Sequence, residues 1–134
     1  MIKMLNSNIV EKIIQTFRDD PRFSAIFLLG SALTDHMRPD SDIDVAVLPF
    51  FGKKIDDISR MSLATDFTIA SGLKLDIGII SSANLVYAKE AILTGREIYV
   101  KDRGYTDLMT ATLMGMYLAF QDQRREVLNA YRIR

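Results

Sequence analysis

With 134 residues, the chain has the length of one domain, spanning residues 1–134, and can bury about two-thirds of its unfolded surface, enough for a core but not for a second lobe. Seventeen basic residues balance seventeen acidic ones, so no overall field draws in nucleic acid and none is expected as a partner. Cysteine is absent and histidine occurs once, at His36, which excludes disulfides, thiolate metal sites and multi-histidine zinc sites.

No apolar run approaches the ~18–20 residues of a membrane-spanning helix. The opening MIKMLNSNIVEKIIQ carries charge too early for a signal peptide and lacks a small-residue cleavage site. A cytoplasmic protein with no membrane association is the expectation.

From Asn8 to Asp19, Ile9, Val10, Ile13, Ile14 and Phe17 recur at intervals of three and four, the mark of an amphipathic helix. Asn6 or Ser7 can cap it, and Asp20-Pro21 stops it. A strand follows from Phe23 to Leu29 and ends at Gly30-Ser31. Glycine there permits close backbone approach to a phosphate, and the serine hydroxyl with the following amides can donate to phosphate oxygens; a plain turn is the other reading. Thr34 to Ser41 is a polar loop. Arg38 either reaches back toward a phosphate or is solvated or paired with Asp35 or Asp40, and His36 is most simply a polar loop residue.

A second strand, Ile43 to Leu48, opens with the alternating acids Asp42 and Asp44, and Ser41 precedes them, placed to bond the turn that presents them. Pro49, Gly52, Lys53 and Lys54 form a loop. Asp56 or Asp57 starts a helix carrying Ile58, Met61, Leu63, Ala64 and Phe67, which ends at Ser71-Gly72. A third apolar strand, LKLDIGII from Leu73 to Ile80, holds Asp76 inside it, with Lys74 on the same face if the alternation persists. Ser81 or Ser82 caps a helix through Leu85, Val86, Ala88, Ile92 and Leu93, closed by Gly95. Arg96 to Lys101 reads as a short edge strand, and Asp102-Arg103-Gly104 as a turn. Tyr105 to Arg134 is one long helix. Its Met109, Met114, Met116 and Tyr117 suit a surface that meets another chain or a second copy, although packing on the domain itself would also use them.

The chemistry lies in the acids. Side chains two apart on a strand share a face, so Asp42 and Asp44 point the same way about 6–7 Å apart. Like charges so placed repel, and a divalent cation between them removes the repulsion. Asp76, costly inside an apolar run unless paired or metal-bound, joins them if the third strand lies beside the second. Three carboxylates beside a Gly-Ser turn then make a cradle for a magnesium-bound polyphosphate.

Gly30-Ser31, ten intervening residues, Asp42-Ile43-Asp44 and the later Asp76 together resemble the nucleotidyltransferase superfamily related to DNA polymerase beta, from about Ile9 to Val100. The stretch GSALTDHMRPDSDIDVAV is similar to the minimal nucleotidyltransferase branch. This resemblance implies an α/β (α+β) nucleotidyltransferase fold, a small mixed sheet flanked by helices with a long C-terminal helix. It further implies catalytic, metal-holding Asp42, Asp44 and Asp76, with Mg²⁺ and ATP as cofactors. Gly30 and Ser31 would grip the β- and γ-phosphates, with Ser41, Arg38 and Lys74 as further nucleotide contacts. Where the superfamily often carries a small residue, an arginine and a glycine after the serine, this chain has Leu33, Thr34 and Asp35.

Members of the minimal branch commonly act as antitoxins of an all-helical HEPN toxin, moving AMP from ATP onto its tyrosine. The same activity and partner are implied here. Two rivals remain at the level of sequence: a nucleotidyltransferase for a small molecule of the aminoglycoside type, and a catalytically silent binding module. Nothing in the strands or the turn reads adenine over another base.

Overall fold

The computed structural model describes residues 7–30 and 42–132. In chain order these form α1 (Ser7–Arg18), β1 (Phe23–Leu28), β2 (Ile43–Pro49), α2 (Asp57–Ser71), β3 (Leu75–Ile79), α3 (Leu85–Thr94), β4 (Arg96–Val100) and α4 (Arg103–Arg132). The sheet runs β3-β2-β1-β4. β1 is antiparallel to both β2 and β4, and β2 is parallel to β3. The parallel step follows from α2, since parallel neighbours need a crossover and a helix supplies it.

Alternation along the strands feeds two apolar layers. Ile26, Leu28, Ile43, Val45, Val47, Leu75 and Ile77 face one side, where Ile13 and Phe17 of α1 and Phe67 of α2 close over them. Phe27, Ala46, Leu48 and Ile80 face the other, beneath Ala88 and Ala91 of α3 and Leu113 of α4. The β1 and β2 positions are buried on both faces, which is why these strands read as nearly unbroken apolar runs.

Helix ends follow local chemistry. The Asp56 side chain accepts the Ser59 N–H at 2.7 Å, and α2 stops at Gly72, whose φ of +75° is the left-handed conformation that glycine supplies without strain. Two helix starts differ from the sequence expectation by more than one residue. Asn84, rather than Ser81 or Ser82, caps α3, its side chain accepting the Tyr87 N–H at 3.1 Å. Asp102-Arg103-Gly104 is not a free turn. Asp102 accepts the Tyr105 N–H at 3.0 Å on its side chain and the Thr106 N–H at 3.0 Å on its carbonyl, so α4 begins at Arg103. That start is fastened to the sheet by buried Ser24 and Thr106, whose hydroxyls meet at 2.7 Å.

β4 lies at a sheet edge, as the charged ends Arg96 and Lys101 suggest. No helix among the described residues is long and apolar enough to cross a membrane.

Candidate active site

The register of β2 and β3 sets the site. Asp44 is paired directly with Asp76 across the parallel strands, between Ile43–Leu75 on one side and Val45–Ile77 on the other. Neighbouring strands lie about 4.8 Å apart, so two carboxylates in register meet. The four flanking side chains turn into the layer under α1 and α2. Alternation therefore sends Asp44 and Asp76 to the opposite face, at the end of the strands nearest the turn after β1.

Two carboxylates this close repel when both are ionised, and a proton or a cation between them relieves the repulsion. Burial raises the Asp44 pKa above the usual carboxylate range, and the charges of Asp76 and Asp42 raise it further. Asp44 is half-buried at the back of the group, while Asp42 and Asp76 are exposed at its mouth.

Gly30 completes this corner. Its φ is +64°, a backbone conformation that a side chain disfavours, and a Cβ there would stand 3.3 Å from Asp44 Oδ2. The preceding residue is tied to the acid strand, Leu29 N–H donating to the Asp44 carbonyl at 2.9 Å. Bare backbone thus adjoins the innermost carboxylate. Lys74 is exposed just before β3, and its carbonyl accepts the Ile43 N–H at 2.9 Å; its side chain is not among the walls of the hollow beside the acids. Ser31, Arg38 and Ser41, with His36 and Leu33 to Asp35, lie outside the described residues.

That hollow, about 310 Å³, is walled by Asp44, Asp76, Leu29, Gly78, Arg60 and Tyr87 among others. The last two are absent from the sequence reading. Arg60 reaches round the β3 edge from α2, donating to the Ile77 carbonyl at 3.3 Å and to Asp57. Tyr87 comes from α3. Burial and then the charges of Asp76 and Asp44 push its phenol pKa up to about 12, so it stays protonated. Helical spacing offered no sign of either, because Arg60 reads as a solvated helix residue and Tyr87 as one side chain of a core helix. The Gly78 that makes room for Tyr87 was the available signal.

The donor set suits Mg²⁺, a hard ion that takes oxygen ligands. Among the described residues no three acidic or imidazole groups stand as a finished metal cage. Mg²⁺ rarely uses one, since it is usually held by one or two carboxylates together with substrate phosphates and water. The in-register pair Asp44 and Asp76, with Asp42 nearby, could supply carboxylates of that kind. A larger hollow, about 400 Å³, lies at the far end of β2, lined by Phe50, Phe51, Tyr105, Met109 and Met116 among others, with no carboxylate side chain.

The chain is similar along most of its length to known proteins. A family model described as polymerase beta nucleotidyltransferase matches residues 11–104. The protein adenylyltransferase MntA of Shewanella oneidensis is 28% identical over 129 residues, covering 96% of this chain and 88% of that protein. A chain in a crystal structure of a toxin–antitoxin with AMP-PNP superposes with a TM-score of 0.75 at 27% identity, over 92% of this chain and 98% of that one. A chain from a tri-AMPylated Shewanella oneidensis HEPN toxin in complex with its MNT antitoxin gives 0.72 at 25% identity, over 96% and 99%.

Proposed function

The chain belongs to the polymerase beta nucleotidyltransferase family, and from that premise we propose that it moves AMP from ATP onto a tyrosine hydroxyl of a helical HEPN-family partner, acting as that toxin's antitoxin. The observation that carries the reading is the in-register pair Asp44 and Asp76 beside the left-handed Gly30. The likeness to a protein adenylyltransferase along nearly the whole chain supports the choice of a protein acceptor.

In this reading Asp42, Asp44 and Asp76 would hold Mg²⁺ through their carboxylate oxygens. When bound, the ion neutralises the triphosphate and the departing pyrophosphate. Gly30 lets the β- and γ-phosphates lie against bare backbone, where Ser31 donates from its hydroxyl. Arg38, Ser41 and Lys74 are the remaining candidates for nucleotide contact, Lys74 from outside the hollow that the acids share. Asp76, at the open mouth, receives the proton of the tyrosine hydroxyl as its oxygen attacks the α-phosphorus in line. The bond to the bridging oxygen breaks, and pyrophosphate leaves opposite the attacker.

The same residues explain why folding tolerates an uncomfortable acid pair. Burial and then the charges of Asp76 and Asp42 raise the Asp44 pKa; a proton relieves that cost, and a cation held by the same carboxylates would take its place.

Mass spectrometry of the helical partner co-expressed with this chain tests the proposal. A mass increase of AMP on a partner tyrosine, lost with Asp42→Asn, is the expected result. Tight complex formation with an unmodified partner would leave only a binding module, and ATP-dependent labelling of an aminoglycoside would move the acceptor to a small molecule.

A further inference from the structure

Tyr87 is a phenol inside the site of an enzyme whose proposed acceptor is a phenol. Its ring crosses from α3 onto β3 and fills the space that a side chain at position 78 would need. A Cβ on Gly78 would fall 1.8 Å from Tyr87 Oη and 2.5 Å from Cζ. Gly78 follows Asp76 by two residues on β3, so both positions face the same way, about 6–7 Å apart. The phenol, Asp76 and Asp44 wall one hollow of about 310 Å³.

Among the described residues the hydroxyl also has no hydrogen-bond partner. Tyr105, by contrast, donates its hydroxyl to the Pro49 carbonyl at 3.1 Å, and no comparable bond from Tyr87 Oη occurs among the described residues. Nor is Tyr87 Oη one of the sealed, unsatisfied side-chain atoms, of which the described residues have none. It therefore opens onto the hollow that the acids share.

We propose that Tyr87 is itself an AMP acceptor, so that in the absence of a partner the chain adenylylates its own phenol. The inference rests on the adenylyltransferase reading above. Rotation of the Tyr87 side chain within the open hollow carries Oη toward the mouth where Asp76 stands. Oη attacks the α-phosphorus of ATP and forms a phosphodiester. The bond from that phosphorus to the bridging oxygen of the β-phosphate breaks, pyrophosphate leaves with the electron pair, and the phenolic proton passes to the Asp76 carboxylate. The attached AMP then occupies the hollow, excluding both fresh ATP and a partner's tyrosine, so the reaction limits itself to one turnover. Because acceptor and site belong to one chain, the reaction is first order in protein.

The test incubates the purified full chain with ATP and Mg²⁺, alone and with its helical partner, and follows intact mass and the modified peptide. Expected is one AMP on the peptide containing Tyr87, with a fractional rate unchanged on dilution. Tyr87→Phe, which keeps the ring and its packing, loses that label while melting as a folded protein. Gly78→Ala, which keeps the phenol but displaces it from its slot, slows the labelling severalfold. AMP on any other residue, or a fractional rate that falls with dilution, overturns the proposal. An unmodified wild-type chain alongside a labelled partner overturns it while leaving the adenylyltransferase reading intact. If neither chain is labelled, both fall together.

Discussion

At Asp44 a group is held in the fold against its own preference, and that tension is measurable. Its pKa is raised by burial first and then by its acidic neighbours. The folded protein therefore holds that proton more tightly than the unfolded chain does. Stability falls as pH rises through the ordinary carboxylate range, and the full penalty stands above the raised value. Asp44→Asn removes the penalty; without divalent cations the variant is expected to be more stable by about 0.5–1 kcal/mol, a modest gain because the site is partly solvated. The same variant loses AMP transfer, and thermal melts paired with activity check both halves. Gly30→Ala has the opposite sign. It places a side chain in the left-handed region and against Asp44 Oδ2, at a cost of about 1–2 kcal/mol, read by urea denaturation. Asp20 behaves conversely to Asp44. Its hydrogen bonds to Arg22, as short as 2.6 Å, hold its carboxyl below the usual range. Its contribution is present above the unfolded carboxylate pKa and is lost as pH falls through the lower folded value. The stability difference between wild type and Asp20→Asn, followed by denaturant titration, should shrink toward zero on acidification.

The elements differ in how openly the sequence declares them. β1, β2 and β3 announce themselves as apolar runs bounded by turn residues, and the acids inside them stand out because such runs exclude charge. The parallel placement of β3 beside β2 follows once the span from Asp56 to Gly72 is read as a crossover helix. Asn84 was harder to see. Ser81, Ser82 and Asn84 all suit a helix start, and only the backbone decides which side chain faces the first free amides. Asp102 was hidden because Gly104 in the first turn of α4 disguises a helix start as a loop. Arg60 and Tyr87 were out of reach for a different reason: each acts across the β3 edge from a helix, and no one-dimensional periodicity carries that contact. Asn84→Ala is expected to cost about 1 kcal/mol through the lost cap. Ser24→Ala, which deprives buried Thr106 of its partner, is expected to cost about 1–3 kcal/mol; denaturation curves rank the two.

For the whole molecule, α4 divides the work. Its first part packs on α3 and β1 and ends its buried contribution at Leu113, whereas every residue from Leu118 to Arg132 is exposed. Phe120, Val127 and Leu128 are 42%, 56% and 46% exposed, an unusual amount of apolar surface for a helix end that only fills a core. Within the proposed function this segment is the surface offered to the helical partner. A chain ending at Phe120 is expected to melt like the full chain, yet to elute apart from its partner on size exclusion. Catalysis in the proposed function does not depend on that surface. It depends on Asp44 and Asp76 holding a cation and a nucleotide together between β2 and β3. Calorimetric titration of the full chain with AMP-PNP, with and without Mg²⁺, tests this most directly. Mg²⁺-dependent binding is expected, and it disappears when Asp44→Asn and Asp76→Asn are combined in a folded protein. Undiminished Mg²⁺-dependent binding by that double variant would contradict that role for the pair.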